Sequence, residues 1–578
     1  MATDQALLSG GQLVVAALRA HRVDMAFSVA GESYLEVLDA LFDAPDIRLV
    51  TCRQEGGAAF MAEAYGKLTG KPGVLLVTRG PGACNASIGI HTAFQDSTPI
   101  VVLVGQVARH QIDREAFQEV DFRKMFAPLA KWVAQIEMAE RIPELINQGF
   151  QVATSGRPGP VLLDVPEDVA HGVHDFAPEA FVIDESTLKA PARRIRPARE
   201  DIERAARLIA GAKRPLLLTG GGIHLSEAWE ALTRFAEAQS IPVAHTMSGK
   251  GGIACANPLN VGLFGRYSRI ANELIEAADC LIVAGCKLGE IATKRFVLPP
   301  PHIPVIHLDI VAEEIGRCIA AEIALWGDAR AGLEDLAATL SDSSKAARAT
   351  RADYAAEIAP RMKAWEEDAA PRLNSSDRPV HMARLCRELN KTLPPDSILV
   401  ADGGFAGHWT GLLYDTKIAG RHFIPDRGFA SIGYGLPGGM GACFAAPDRS
   451  VVAISGDGGF NMMLGELETA RRAGLGLTVI VVNNAASGYV KALQHAMMGG
   501  RYQSADLVEM NYAAIARAMG CGGIRVEDPE SLSDALRRGM EERDRPTVID
   551  VVVTRDPAQM LPAVDNRTVE IKQGDRVA

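Results

Sequence analysis

The chain alternates short apolar runs with longer segments in which apolar residues recur at helical spacing. Examples of the apolar runs are GVLLVT at residues 73–78, IVVLVG at 100–105 and LTVIVVNN at 477–484. Short runs rich in β-branched residues, separated by helical segments, are typical of parallel strands that are buried on both faces. The pattern therefore predicts α/β domains in which helices cover parallel sheets.

Two stretches break this pattern and predict linkers. Residues 185–200 are rich in Pro, Ala and charged residues, whereas residues 341–380 are polar at both ends and helical in the middle. A chain of 578 residues is also too long for a single hydrophobic core. We therefore expect three doubly wound parallel-sheet domains and a polar C-terminal tail, over residues 1–185, 195–345, 375–560 and 561–578.

The first and third of these domains share a pattern. In each, a strand runs into a glycine-rich loop, a helix follows, and a second strand returns at almost the same spacing, beginning at residue 73 in one domain and at residue 451 in the other. This similarity indicates one architecture that is used twice.

The net charge indicates which partners the protein can have, and the cysteines and the N-terminus indicate its compartment. The net charge is -11 and the isoelectric point is near 5.7, which argues against nucleic acid or an anionic membrane as the main partner. There is no secretion signal at the N-terminus and no apolar stretch of the roughly 18 residues that a membrane span needs. The nine cysteines form no CxxC pair, as expected for reduced thiols. We expect a cytoplasmic protein that acts on small molecules.

The stretch VVAISGDGGFNMM, residues 451–463, places one carboxylate, Asp457, among glycines at the end of a predicted strand. By itself such a tripeptide is most often a turn. However, Asn484 ends the next strand, and one right-handed crossover brings both residues to the same sheet edge. Carboxylate and amide oxygens suit Mg²⁺, and glycines let backbone N–H groups approach phosphate. The pair therefore predicts a site for a metal ion and a diphosphate.

The segment from Gly456-Asp457-Gly458 to Asn483-Asn484 resembles the signature of thiamine diphosphate enzymes. The resemblance implies that Asp457, Asn484 and the main-chain oxygen of Ala486 bind Mg²⁺. It also implies that the diphosphate lies against the loop DGGFAGH, residues 402–408, and the glycines around Asp457. The implied cofactor contacts are Gly403, Gly404, Phe405, Ala406, Gly456, Asp457, Gly458, Gly459 and Asn484.

A second motif surrounds Glu55, which precedes small residues in CRQEGGAAFMAEAYGKLTG. An isolated glutamate at this place is most often an acid that complements the dipole of a helix start. The run GKPGVLLVTRGPGACN, residues 70–85, nevertheless makes the region similar to the acetolactate synthase branch of the family. The resemblance implies that Glu55 is the catalytic acid that engages the aminopyrimidine ring of the cofactor, a role that suits a carboxyl in a dry pocket.

A third motif, RGFASIGYGLPGGMGA at residues 427–442, is similar to the family segment that holds the cofactor in its bent shape. By position Ile432 is the apolar wedge between the two rings, and the carbonyl of Ala430 receives the amino group. The alternative is a glycine-rich helix start that packs on the sheet.

The resemblance extends over almost the whole chain, from residue 14 to residue 553. It implies a pyrimidine-binding first domain that carries Glu55, a central Rossmann-like domain, and a third domain that binds thiamine diphosphate and Mg²⁺. In this family the glutamate domain of one subunit closes over the diphosphate domain of another. We therefore expect a homodimer at minimum, and a homotetramer as the further expectation.

The family reaction begins with addition of the cofactor to a carbonyl, usually that of a 2-oxo acid, and CO₂ then leaves. The segment EAFQEVD matches the acetolactate synthase segment that carries two substrate-facing residues. Further candidates come from the pocket entrance, an apolar helix and the loop after the metal ligands, where Tyr489 is predicted to contact the cofactor and line the pocket. The candidates at the substrate are Gly31, Glu32, His91, Phe117, Gln118 and Leu493, although a histidine such as His91 is more often a packing residue.

Several residues around the substrate depart from acetolactate synthase. The arginine that receives the acceptor's carboxylate aligns with Ile291, a pocket tryptophan aligns with Leu493, and a lysine aligns with Glu167. Loss of the cation removes a bidentate clamp on an anionic acceptor. We therefore expect a carboligase, lyase or decarboxylase whose acceptor is not a second 2-oxo acid.

The central domain leaves two alternatives open. Strand ends such as LTGGG resemble places where relatives bind FAD or ADP, but GLFGRYS and GCKLGEIATK depart from those patterns. We therefore do not expect a bound nucleotide. A flavin-linked 2-oxo acid oxidase stays an alternative, as does a non-catalytic relative, although such a relative should have lost Glu55, Asp457 or Asn484.

Overall fold

The computed structural model describes residues 6–176 and 178–562 of the chain. Three six-stranded sheets follow one another along it, and within each sheet every pair of neighbouring strands is parallel. The predicted fold class, three doubly wound α/β domains, is confirmed. Most of the predicted C-terminal tail, residues 563–578, lies outside the described residues.

The first domain carries the sheet order β3-β2-β4-β5-β7-β6, and β1 pairs antiparallel with β8 beside it. Its strands are β1 (Ala6–Ser9), β2 (Met25–Ser28), β3 (Arg48–Thr51), β4 (Gly73–Val77), β5 (Ile100–Gln106), β6 (Trp132–Gln135), β7 (Pro160–Pro166) and β8 (Val173–Phe176). Its helices are α1 (Gly10–Ala20), α2 (Leu35–Phe42), α3 (Glu55–Thr69), α4 (Gly80–Asp96), α5 (Phe122–Phe126), α6 (Ile142–Thr154) and α7 (Glu167–His171).

The central domain has the order β11-β10-β9-β12-β13-β14, the arrangement of a Rossmann sheet. Its strands are β9 (Pro215–Thr219), β10 (Val243–His245), β11 (Asn260–Leu263), β12 (Cys280–Ala284), β13 (Val305–Asp309) and β14 (Ile323–Trp326). Its helices are α8 (Arg199–Gly211), α9 (Gly222–Leu225), α10 (Trp229–Gln239), α11 (Ala271–Glu276) and α12 (Ala329–Thr339), and the linker that follows contains α13 (Ser344–Thr350), α14 (Ala352–Ala356) and α15 (Ile358–Leu373).

The third domain has the order β16-β15-β17-β18-β20-β19. Its strands are β15 (Ile398–Ala401), β16 (Phe423–Pro425), β17 (Val451–Gly456), β18 (Leu477–Asn483), β19 (Gly522–Val526) and β20 (Thr547–Val552). Its helices are α16 (Met382–Thr392), α17 (Phe405–Leu413), α18 (Gly435–Ala445), α19 (Asp457–Met462), α20 (Glu466–Arg472), α21 (Gly488–Met497), α22 (Tyr512–Ala518) and α23 (Leu532–Glu541).

Short 3₁₀ helices connect several of these elements: Glu32–Tyr34, Arg109–Gln111, Ala139–Arg141, Pro178–Phe181, Glu185–Leu188, Ala312–Glu314, Ser341–Ser343, Pro529–Ser531 and Pro557–Gln559. Within the part of the chain that the structure describes, no helix has both the length and the apolar character needed to cross a bilayer.

The first and third sheets have the same topology. Counted within its own domain, each sheet runs second strand, first, third, fourth, sixth, fifth. In such a sheet the strand order reverses between the first and third strands, and a crevice opens there at their carboxyl ends. In the first domain this point lies between β2 and β4, and in the third it lies between β15 and β17. The one architecture used twice thus creates two equivalent crevices.

The helices that face these crevices are fixed by local sequence. Gln54 caps α3, because its side chain accepts the N–H of Gly57, and Gly70, with a φ of 72°, ends the helix in the left-handed conformation. Helix α3 then packs against α18 of the third domain so closely that a Cβ on Gly441 would lie 2.4 Å from the carbonyl oxygen of Met61. The first and third domains are therefore in direct backbone contact.

Candidate functional site

Asp457 lies at the carboxyl edge of the third sheet, as the first residue of α19 directly after β17. Gly456 pairs in register with Val482 of β18, so that Asp457 and Asn484 stand beside each other just beyond the two strand ends. The Asp457 carboxylate accepts the N–H of Gly458 at 2.8 Å and faces the N–H groups of the loop that contains Asn484. Both side chains are almost completely buried.

The electrostatics around Asp457 fit a cation. Burial raises the pKa of Asp457 to about 6, and no ion pair to Asp457 occurs within residues 6–176 and 178–562. A divalent ion would supply the missing positive charge and restore the ionised carboxylate. The Asn484 amide oxygen accepts the N–H of Ala486 at 3.1 Å, which holds this loop beside the carboxylate.

The same region cannot hold a metal by protein side chains alone. No group of three or more His, Cys, Asp or Glu side chains suited to a metal occurs in the described residues. One carboxylate and one amide leave an Mg²⁺ ion with most of its coordination open, which is the arrangement that Mg²⁺ adopts when it is shared with phosphate oxygens.

The loop after β15 forms the other wall of this crevice. Gly404 has a φ of 67°, and a Cβ there would lie 3.5 Å from the Ile432 side chain, while a Cβ on Gly403 would lie 2.6 Å from the carbonyl oxygen of Ala430. Ile432 is 45% exposed and Ala430 has a φ of 58°. The Ile432 side chain thus lies over Gly404, and the carbonyl of Ala430, a residue in the left-handed conformation, lies over Gly403.

Other residues predicted to contact the cofactor pack beside the loop that follows β15. Phe405 and Ala406 start α17 and are buried, and the Phe405 ring lies 3.1 Å from the position of a Cβ on Gly488. Near Asp457, a Cβ on Gly459 would meet the Asp402 carboxylate at 2.5 Å, whereas a Cβ on Gly456 would meet nothing within 4 Å and one on Gly458 would meet only Leu507, at 3.7 Å. The open glycines are the ones that leave room for an anion.

Asp402 is a residue that the sequence analysis missed. It is fully buried, and its carboxylate accepts the N–H groups of Gly403, Gly433 and Tyr434 and the hydroxyl of Ser455. Burial raises its pKa to about 6. Asp402 therefore ties the end of β15 to the loop that carries Ile432. Its signal in the sequence was an Asp-Gly-Gly at a strand end, the same one that Asp457 gives.

Glu55 opens α3 in the first domain and is 9% exposed. One carboxylate oxygen accepts a hydrogen bond from Asn85 of α4 at 2.9 Å, and the other faces Gly82, where a Cβ would lie 3.5 Å away. Glu466 of the third domain accepts the N–H groups of Arg53 and Gln54 at 3.0 Å each, which fixes the turn before α3. Neither Asn85 nor Glu466 was singled out from the sequence.

The structure places Glu55 and the Asp457 loop in separate crevices. Within the described residues, no hydrogen bond or ion pair joins Glu55 to Asp457 or to Asn484.

The predicted substrate residues divide into two groups. Arg79, which the sequence analysis missed, pairs with Glu32 and with Glu167, and donates to the carbonyl of Phe117 at 3.3 Å. Phe117 is 69% exposed. Gln118 adopts a φ of 63°, and its carbonyl accepts the N–H of Gly80, while a Cβ on Gly31 would meet Thr78 at 2.3 Å. These residues form one cluster at the first-domain crevice.

The second group lies at the third domain. His91 of α4 is stacked on Phe94 and meets the ring of Phe429 edge-on at 4.7 Å. Leu493 is half-buried on α21. Tyr489, predicted in the loop, is instead in the first turn of α21, with its ring stacked on His408 at 5.0 Å and its hydroxyl accepting from Arg266 at 2.9 Å.

A cavity of about 420 Å³ lies where the central domain meets the other two. It is lined by the glycine-rich ends of β9 and β12, and neither Glu55 nor Asp457 lines it. Its charged lining is mostly cationic, with Lys67, Arg266, Lys287, Arg317, Arg421 and Arg427 against Asp96 and Glu290.

Comparison with known proteins agrees with this arrangement. The chain matches three parts of thiamine pyrophosphate (thiamine diphosphate) enzymes: the N-terminal TPP binding domain over residues 8–125, the central domain over 202–336 and the C-terminal TPP binding domain over 402–551. It is 33% identical to a probable acetolactate synthase large subunit of Methanocaldococcus jannaschii, over 99% of this chain and 96% of the relative.

Two further relatives are similar over nearly the same length. An acetolactate synthase of Mycobacterium bovis is 32% identical over 96% of this chain and 90% of its own, and the Escherichia coli isozyme 2 large subunit is 31% identical over 92% and 93%. The predicted family is confirmed, with thiamine diphosphate as its cofactor. The chain belongs to the thiamine pyrophosphate enzyme family, and it is an enzyme that makes or breaks carbon–carbon bonds with thiamine diphosphate.

Proposed function

We propose that the chain is a Mg²⁺-dependent carboligase or decarboxylase that takes a 2-oxo acid as donor. The observation that carries the proposal is the pair Asp457 and Asn484, two buried oxygen donors side by side at the switch point of the third sheet, where no side-chain cation of residues 6–176 and 178–562 pairs with the carboxylate. Asp457, Asn484 and the Ala486 carbonyl would hold Mg²⁺, and the open glycines would receive the diphosphate.

Thiamine diphosphate, when bound, supplies the electron sink for decarboxylation of a 2-oxo acid and for transfer of the remaining fragment. The chain's own residues orient it. Ile432, over Gly404, would support the cofactor in a bent shape, and the carbonyl of Ala430 would accept a hydrogen bond from its amino group. Glu55 would exchange a proton with a ring nitrogen, and Asn85 holds its carboxyl in place.

The two crevices support a homodimer, in which the first-domain crevice of one subunit faces the third-domain crevice of another. Apolar side chains around the third-domain crevice are exposed in the single chain and would be covered by a partner. They are Phe429, Ile432, Met462, Val490, Leu507 and Val508. We propose a dimer as the minimum active unit, a tetramer as its extension, and the cytoplasm as its location.

The acceptor site supports a substrate choice that differs from that of acetolactate synthases. Ile291 stands where those enzymes carry an arginine, so that a 2-oxo acid bound as they bind it would lack its cationic partner. We therefore propose an acceptor other than a second 2-oxo acid held at residue 291.

Two variants test this function. Glu55→Gln should retain Mg²⁺-dependent binding of thiamine diphosphate and lose at least about 100-fold in turnover, because an amide cannot exchange the proton. Asp457→Ala should lose the Mg²⁺-dependent part of cofactor binding. Binding is measured by fluorescence titration, and turnover by CO₂ release from a panel of 2-oxo acids.

Three results would count against the proposal: full turnover by Glu55→Gln, unchanged Mg²⁺-dependent binding by Asp457→Ala, and no CO₂ release from any donor. The flavin-linked oxidase is tested in the same assay. A visible flavin spectrum that is bleached by pyruvate, with consumption of dioxygen, would favour it.

A further inference from the structure

Arg427 is a cation without a partner at the edge of the cavity between the domains. Within residues 6–176 and 178–562 it makes no hydrogen bond and no ion pair, although its side chain is half-buried. Burial and the nearby Arg266 lower the pKa of Arg427. The carboxylate of the adjacent Asp426 accepts the Ser431 hydroxyl at 2.7 Å, and burial raises the pKa of that carboxyl well above its ordinary value.

Arg266 faces the same cavity from the central domain. One of its guanidinium nitrogens donates to the Tyr489 hydroxyl at 2.9 Å, and another lies 3.8 Å from the Glu290 carboxylate. The Arg266 side chain is 11% exposed, whereas that of Glu290 is 33% exposed. Two guanidinium groups thus meet in a largely buried space, which is a costly arrangement unless an anion lies between them.

The two arginines are attached to the segments that would hold the cofactor. Arg427 precedes Ala430 by three residues, and Arg266 is tied through Tyr489 to the helix that begins four residues after Asn484. His408 stacks on Tyr489 and packs edge-on against Tyr267, which fixes the phenol between the central and third domains. A ligand bound by the arginines would therefore lie next to the reacting part of the site.

Arg266 is also a direct neighbour of Ile291. The backbone N–H of Arg266 donates to the Ile291 carbonyl at 2.9 Å, and both residues line the cavity. A positive charge is thus present beside residue 291, on the loop that follows β11. Its guanidinium is held by Tyr489 instead of projecting from position 291.

We propose that Arg266 and Arg427 bind the anionic group of the acceptor, a carbonyl compound whose carboxylate or phosphate lies apart from the carbonyl that reacts. This inference rests on the proposed function and names its acceptor class. An anion bound by Arg266 and Arg427 lies at a different place from an anion that an arginine at position 291 would bind. The acceptor therefore differs from a 2-oxo acid, in which the carboxylate is attached directly to the reacting carbonyl. Tyr489 is a positioning residue, since it orients Arg266.

The test uses matched acceptors that differ in charge. The pairs are 4-oxobutanoate against butanal and glyceraldehyde 3-phosphate against glyceraldehyde, with 2-oxobutanoate as a further probe. Binding to the enzyme loaded with thiamine diphosphate and Mg²⁺ is measured by the shift in thermal midpoint, and kcat/KM is measured wherever a donor is consumed. We expect at least one charged member to bind more tightly than its neutral match and than 2-oxobutanoate.

Arg266→Gln and Arg427→Gln should each weaken binding of that charged acceptor by about 10- to 100-fold, the usual effect of losing a charge-assisted hydrogen bond. The neutral match should change less than about twofold, and Arg266→Lys should restore part of the loss. Arg317→Gln is the control, because Arg317 lines the same cavity but is paired with Glu314 at 2.8 Å. CO₂ release from the donor alone should be unchanged in Arg317→Gln.

Three outcomes overturn the inference. The first is a wild-type enzyme that does not prefer a charged acceptor. The second is an equal loss for charged and neutral acceptors in the glutamine variants. The third is a nucleotide, FAD or ADP, that is released from denatured wild type and absent from Arg266→Gln, which would assign the arginines to that nucleotide. Failure of the proposed function is separate, since it appears as absence of CO₂ release from every donor.

Discussion

Two buried aspartates, Asp402 and Asp457, stand at neighbouring strand ends and have different roles. Both follow parallel strands at the switch point of the third sheet, and burial raises the pKa of each to about 6. Asp402 uses its oxygens to bind protein N–H and hydroxyl groups, whereas Asp457 lies beside Asn484 with open space at Gly456. The first organises the loop, and the second is available to a metal.

Asp402 makes the stability of the cofactor-free chain depend on pH. Because its pKa is raised from 3.8 to about 6 in the folded chain, its favourable contribution is complete below the unfolded value and is lost as the pH rises through about 6. Relative to Asp402→Asn, the wild type should lose about 2 kcal/mol of unfolding free energy between pH 4 and pH 6.5. Urea titrations of both proteins across this range measure the difference. Parallel pH profiles would contradict the assignment.

Asp402 and Asp457 also show which features of the site can be predicted from the sequence. The strands, their glycine-rich ends and the pairing of Asp457 with Asn484 follow from apolar runs and spacing, because crossovers in parallel sheets are right-handed. Asp402 has the same Asp-Gly-Gly at a strand end, whereas Arg79 and Glu466 carry no such signal, since their roles depend on contacts between segments far apart in the chain. Tyr489 lies in a helix and not in the predicted loop, because the helix begins at Gly488, directly against Asn484 and Phe405.

Helices α3 and α18 hold the first and third domains together. Helix α3 is buried along most of its length, and its Glu63 accepts a hydrogen bond from Tyr434 at 2.6 Å and pairs with Lys67 at 2.8 Å. Lys67 also pairs with Asp96 at 2.7 Å. The contact therefore combines close backbone packing with a paired buried charge, and it attaches the middle and the C-terminal half of α3 to the third domain.

A methyl group at Gly441 should separate these helices. The added Cβ would lie 2.4 Å from the Met61 carbonyl oxygen, a backbone atom that cannot rotate away. Gly441→Ala should therefore destabilise the contact by about 1–3 kcal/mol, the usual cost of overpacking, and lower the thermal midpoint. Gly211→Ala is the matched control, because a Cβ there meets nothing within 4 Å. Equal midpoints for the two variants would show that α3 and α18 have room to move.

In the proposed dimer, assembly of two chains would give the site its full set of groups. One chain presents Glu55 in its first crevice and Asp457 in its third, with no bond between them in the described residues. In the proposed dimer, a partner subunit would bring the missing half to each crevice and would cover the exposed apolar side chains around Ile432. A monomer is therefore expected to be inactive.

Mixing two inactive variants tests this assembly. Random exchange of subunits between Glu55→Gln and Asp457→Ala gives about half mixed dimers, each with one intact site, and about a quarter of the wild-type activity should return. Activity is followed after partial unfolding and refolding of the mixture, and each variant refolded alone is the control. No recovery in a mixture that forms mixed dimers, verified by two affinity tags, would place both groups in one chain.

The most direct measurement is a crystal structure of the chain grown with thiamine diphosphate and Mn²⁺, with the ion located by its anomalous scattering. The ion should be bonded to the Asp457 carboxylate, the Asn484 amide oxygen and the Ala486 carbonyl, with the diphosphate on its open side. An anomalous peak away from these three oxygens, or a diphosphate outside the crevice at the ends of β15 and β17, would contradict the account.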